Sequence, residues 1–194
     1  MTMKKGLFYL MMIAAITFAS CGKEKKDDPV PVEDKDLSGS ITGTKTLDAS
    51  VEYMLVGPLI VEDGGVLNIP AGTIIKAKKG FGSYILVLQG GKINVNGTAE
   101  KPVTMTADIA NAEQGHWGGL IINGKAPLAD PNEKGSTEIN SAYLYGGNNP
   151  NDNSGTITYL KLEYTGARSS ADVEHNGLTL NGVGNGTKIE NIYI

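Results

Sequence analysis

Apolar and polar residues alternate in short runs along this chain, and a Gly-Thr or Asn-Gly turn adjoins each run. Leu67 and Ile69 lead to Gly72-Thr73, Ile93 and Val95 to Asn96-Gly97-Thr98, and Leu120 and Ile122 to Asn123-Gly124-Lys125. After a longer stretch Gly155-Thr156 precedes Ile157, and Leu178 and Leu180 lead to Asn185-Gly186-Thr187, while Gly43-Thr44 begins the series. A period of two predicts strands with one buried face. Apolar residues do not recur at three and four, so no helix is predicted.

The turn glycines stand at 43, 72, 97, 124, 155 and 186, with intervals of 29, 25, 27, 31 and 31 residues. A period of roughly 20–50 residues with a strand in each repeat is the signature of a solenoid. A sandwich of antiparallel hairpins would show turns every ~8–12 residues without that longer self-similarity. Strand-sized segments come in pairs inside each period: Val103 and Met105 follow Ile93 and Val95, and Ile192 and Ile194 follow Leu178 and Leu180. The expected structure is a coil whose rungs stack strand on strand. Leu, Ile and Val then fill a narrow core while Asn, Thr and Lys face out. No rung buries its apolar face alone; its neighbours cover it. Glycine and asparagine are expected to supply the positive φ angles of the corners.

The stretches VGPLIVEDGGVLNIPAGTIIKAKKG, GGKINVNGTAEKPVTMTA, GHWGGLIINGKAPL and NSGTITYLKLEYTGA resemble successive rungs of right-handed parallel β-helix domains of the pectin-lyase-like fold. Such domains occur in surface lipoproteins of the Bacteroidota type. The resemblance covers about residues 50–194. It implies an all-β protein with a single parallel β-helix domain over residues 41–194. Domains of this kind continue for further rungs, so a chain that stops at Ile194 inside a strand is expected to be incomplete there.

The first forty residues have a different character. Lys4 and Lys5 form a basic n-region, Gly6 to Phe18 an apolar h-region, and Ala19-Ser20 the small residues before a cleavage site. With Cys21, the only cysteine of the chain, this resembles a lipobox. Residues 1–20 are read as a lipoprotein signal peptide, too short in its apolar run to span a bilayer. Cys21 is the expected site of acylation, by palmitate or a similar chain. Of residues 22–36, ten are charged and two are proline. That composition cannot bury enough apolar surface to offset its ordering entropy, so residues 21–40 are read as a solvated tether. The run Lys26-Asp27-Asp28 reads either as plain solvation or, by resemblance, as the export signal of surface lipoproteins. The membrane is the expected partner, through the lipid, and the outer membrane the expected location.

From Ile41 onward 11 Lys and Arg face 15 Asp and Glu, and only Arg168 among the basic residues is arginine. A nucleic-acid binder would carry a concentrated basic face, so that partner class is excluded. Lys76, Lys78 and Lys79 read as a solvated turn.

Four groups of residues carry candidate chemistry. Asp172, Glu174 and His175, near Arg168, would serve acid–base work on a polysaccharide, although the segment ARSSADVEHNG also reads as a charged loop between rungs. The stretch from Leu128 to Ser154 is long for a loop in a compact domain. In it Asn149, Asn151, Asp152 and Asn153 have the oxygen-rich spacing of a Ca²⁺ loop, with one carboxylate where several are usual. The same residues suit a solvated turn. Tyr143 and Tyr145 either stack on a sugar ring or pack the insertion onto the coil wall. Trp117, between His116 and Gly118-Gly119, is either a sugar platform or a corner residue. No cofactor is required by any motif, Ca²⁺ being the one candidate, and no P-loop, HExxH, CxxC or G-x-S-x-G element occurs. The function expected is a binding or surface-structural module, for glycans or a partner protein. The alternative is a degenerate or truncated polysaccharide lyase or glycoside hydrolase.

Overall fold

The computed structural model describes residues 34–130, 134–170 and 173–194. All the regular elements described are strands: β1 (Asp36–Ile41), β2 (Thr44–Thr46), β3 (Glu52–Val61), β4 (Val66–Pro70), β5 (Ile74–Ala77), β6 (Ile85–Val87), β7 (Lys92–Asn96), β8 (Val103–Ala107), β9 (Leu120–Asn123), β10 (Gly135–Thr137), β11 (Asn140–Tyr145), β12 (Gly155–Leu162), β13 (Leu178–Asn181) and β14 (Lys188–Tyr193). All pair in parallel except β10 and β11, which form an antiparallel hairpin.

The parallel strands stack in three faces, and the architecture is a parallel β-helix. One face runs β1, β3, β6, β9, β13. A second runs from the start of β3 through β5 and β8 to the end of β12. The third runs β2, β4, β7 and the start of β12. β3 and β12 are long because each turns a corner without breaking, and β14 follows β12 around the same bend.

Three strands per turn, rather than the expected pair, is the main difference from the pattern. At β6 the third strand hides because it does not alternate, whereas β9 and β13 were read from Leu120 and Ile122 and from Leu178 and Leu180. β6 is buried at all three positions and β9 at all four. Their inward residues Ile85, Val87, Leu120 and Ile122 join the main core, while outward Leu86 and Ile121 pack with Tyr84 in a second cluster outside it. The other rungs alternate as expected. Leu67 stacks on Ile93, and Ile69 on Val95, which stacks on Ile157. Ile75, Met105 and Leu162 make the next such column.

The domain also begins earlier than Ile41. β1 lies in the stretch read as tether and pairs with β3 from Asp36 onward. Its apolar anchors are Leu37 and Ile41, both buried, and the pairing shifts register between Leu37 and Gly39. Two anchors separated by a bulge leave too little periodicity to find in a charged segment. Residues 1–33, and with them the signal peptide, Cys21 and most of the tether, lie outside the described residues.

The turn glycines serve close approach more than backbone handedness. Only Gly72 and Gly155 of the six have positive φ, at 83° and 119°. At Gly97, Gly124 and Gly186 a Cβ would run into the backbone of a neighbouring turn of the chain, at Tyr159, Gly182 and Asn151 respectively. Left-handed backbone occurs instead at the corner of the long strands. Tyr159 has φ 48° and Asn191, one rung on, φ 57°.

Candidate functional site

The described residues of the predicted Arg168–His175 segment lie just before β13. Arg168 and Glu174 face each other across an antiparallel bridge and are ion-paired. Asp172 lies outside the described residues. The segment borders a cleft of about 610 Å³, to which Gln114, Thr165, Arg168, Glu174, His175 and Asn176 contribute polar groups.

His175 is the best-defined group there. It is only 3% exposed, with its ring between Phe81 and Tyr84 at centroid distances of 4.4 and 5.0 Å. Nε2 lies 2.9 Å from the Phe81 carbonyl oxygen. A carbonyl only accepts, so Nε2 carries the hydrogen and Nδ1 is the bare nitrogen. That Nδ1 is buried and has no partner. Burial pushes the imidazole below its ordinary pKa, opposed by the Phe81 hydrogen bond and by the charge of Glu138. Loss of hydration disfavours the charged ring, so the neutral form prevails.

Glu138 was not foreseen. It follows β10 in the hairpin that occupies the long insertion, and its Oε1 accepts the Glu174 N–H at 3.0 Å. This bond ties the hairpin to the segment that carries Arg168. A second hollow, of about 330 Å³, lies between the hairpin and the flank of the coil. Glu138 and Tyr145 border it from the hairpin, Thr179 and Asn181 from β13, and Glu174 and Asn176 from the turn between. The two hollows share Glu174 and Asn176. Glu138 comes from the hairpin while Asn176, Thr179 and Asn181 lie on or just before β13, and no local pattern joins the two. The one available signal was the repetition of Asn123-Gly124 at Asn181-Gly182, which places two asparagines on one column. There Asn181 Nδ2 donates to Asn123 Oδ1 at 3.0 Å.

The two tyrosines differ in their placement. Tyr143 packs on the cluster of Tyr84, Leu86 and Ile121 and holds the hairpin to the wall. Its hydroxyl bonds that of Tyr84, whose pKa is pushed up to about 12, by burial first and Tyr143 second. Tyr145 is half-buried, and its ring lies where a Cβ on Gly135 would stand.

Two candidates resolve as structural. Trp117 is fully buried in the main core and donates Nε1–H to the Glu163 carbonyl at 2.8 Å, so no face of its ring is open to a sugar. Beside it His116 is held by Asp108, Nε2 to Oδ1, at 2.8 Å. In the asparagine stretch the oxygens are used by the turn itself. Asn149 Oδ1 accepts from the Asn151 N–H and Asn153 Oδ1 from the Gly155 N–H. Asp152 is buried and accepts the Ser154 hydroxyl at 3.0 Å. This is the geometry of Asx turns rather than of a Ca²⁺ cage. Among the described residues no three His, Cys, Asp or Glu side chains converge to hold a metal.

Searches of curated proteins and of solved structures each returned no match. A family model described as a pectate-lyase-like β-helix domain matches residues 39–194. That span takes in nearly the whole of the three-faced coil, and the chain belongs to the family of pectate-lyase-like β-helix domains.

Proposed function

We propose that this protein is a lipid-anchored cell-envelope β-helix that binds a glycan in the cleft beside Arg168, Glu174 and His175. The observation that carries the reading is the cleft itself. Its volume lies within the ~300–1,000 Å³ of small-molecule sites, and its rim carries amides, a hydroxyl, an ion pair and a buried imidazole. Such a set is suited to hydroxyl groups, which need donors and acceptors together.

Binding is favoured over catalysis by how the ionisable groups are employed. Arg168 is engaged with Glu174, and the Nε2–H of His175 with the Phe81 carbonyl. A general base must reach the proton it takes, and the one free nitrogen of His175 is shut away.

The anchor follows from Cys21 and the charged residues after it. One acyl chain holds a membrane only marginally, so stable anchoring needs more than one. Outer-membrane placement, with the domain outward, is the location that fits a soluble coil on a charged tether.

Two experiments test the two halves. A fatty-acid probe fed to cells should label the wild type and leave Cys21→Ser unlabelled; equal labelling removes the anchor. Purified residues 34–194 should bind at least one oligosaccharide of a mixed immobilised set. Arg168→Ala and Asn176→Ala should weaken that binding, and failure to bind any glycan removes the ligand class.

A further inference from the structure

We infer that the β10–β11 hairpin and the flank of the coil form a second subsite, and that its charge selects an uncharged sugar over a uronate or sulfated one. This rests on the glycan-binding reading above and adds the position and the class of the sugar.

The subsite is built rather than incidental. The Glu138 carboxylate is fixed by the Glu174 N–H, so the hairpin stands at a set distance from the flank. Asn123 reinforces this from β9, its Nδ2 reaching the Leu144 carbonyl at 3.2 Å. Gln89 adds a further tie through the Gly146 carbonyl at 2.8 Å. Gly135 leaves room for the Tyr145 ring, which any side chain at that position would displace.

The lining then decides what fits. Among the described residues, those with charge that border this hollow are Glu138 and Glu174, and no lysine or arginine borders it. Arg168 borders the neighbouring cleft and is already paired with Glu174. His175, next in sequence, is held neutral by its burial. A carboxylate or sulfate on the ligand would meet the uncompensated Glu138 carboxylate and, in Glu174, one already paired with Arg168, and a like charge at short range disfavours that approach. Sugar hydroxyls meet the opposite case. Carboxylates accept from them, and the amides of Asn176 and Asn181 and the Thr179 hydroxyl both donate and accept. Tyr145 supplies an apolar ring with a polar tip, the usual form of a partly wet contact.

The test uses residues 34–194 and three probes: neutral cello- and manno-oligosaccharides, oligogalacturonate, and a sulfated heparin fragment. Calorimetry should show binding of a neutral probe and none of the two anionic ones. Tyr145→Ala should weaken neutral binding about tenfold, the factor of one good contact, with circular dichroism unchanged. Glu138→Gln keeps an acceptor for the Glu174 N–H while removing one charge. It should bring oligogalacturonate into the measurable range. Oligogalacturonate bound by the wild type as well as the neutral probes would overturn the charge selection and leave glycan binding standing. Neutral binding indifferent to Tyr145→Ala would overturn the subsite alone. No binding of any probe would remove both this inference and the reading beneath it.

Discussion

His175 donates its Nε2–H to the carbonyl of Phe81, 94 positions earlier in the chain, and leaves its other nitrogen buried without a partner. The bond joins the turn before β13 to the turn before β6. Its consequence is a pH dependence. The folded pKa is depressed below the ordinary 6.5, with burial as the first cause. The unfolded chain therefore binds the proton first as pH falls. Stability is complete above pH 6.5 and falls as pH drops from there through the folded value, below which this contribution is flat. Urea midpoints at pH 8 and pH 5 should show a larger acid loss in the wild type than in His175→Gln. Equal losses in the two would mean that His175 does not set this dependence.

Trp117 offers a test of its reassignment from surface platform to core. Truncating a buried tryptophan costs about 3–5 kcal/mol. Thermal unfolding of Trp117→Ala should shift strongly downward or give insoluble protein. Trp117→Phe removes the donor to the Glu163 carbonyl and should cost less while keeping the fold. A fully stable Trp117→Ala would place the side chain outside the core.

Gly155 and Gly43 both belong to the turn series and should behave oppositely. At Gly155 φ is 119°, and a Cβ would be driven into the Ile93 carbonyl of the rung beneath. At Gly43 nothing lies within 4 Å of a Cβ, and no unusual φ is required. Gly155→Ala should destabilise by more than ~1 kcal/mol, since φ there suits only glycine. Gly43→Ala should be neutral or slightly stabilising. Denaturant midpoints of the two variants decide this, and equal effects would show that spacing alone, not inter-rung contact, selects glycine.

Acidic polysaccharides should not be turned over. The only arginine of the domain is tied to Glu174, and the imidazole beside it is neutral and enclosed. An assay for unsaturated uronate products, with and without Ca²⁺, should stay flat. Product formation abolished by Arg168→Ala would reverse the choice between binding and lyase.

The amount legible in the sequence differs from element to element, for a physical reason. β4, β7 and β8 were plain because each keeps one face in the core and one in water, so composition alternates with the pleat. β6 was missed because it is buried at every position, and a strand buried on both sides has no alternation to read. The glycine spacing pointed to stacked rungs but not to their true register, in which Ile93 stacks directly on Gly155, nor to the selection of Gly97, Gly124 and Gly186 by the approach of a neighbouring rung. That approach involves residues 35–62 positions away.

The site divides in the same way. Arg168, Glu174 and His175 stood out as close neighbours in sequence, and the structure keeps them together beside one cleft. Whether they could act was not a local property. It took Phe81 to occupy the His175 Nε2–H, the bridge to engage Arg168, and Glu138 to bring a second carboxylate from an insertion 36 positions away. By itself the sequence determined the coil and many of the inward-facing residues, because those follow from a two-residue alternation beside recurrent turns. Only the tertiary structure decided which polar groups share a hollow and which are already spent. In a solenoid, neighbours in space are a full turn apart in the chain, and an insertion of irregular length folds back wherever the flank offers it a surface.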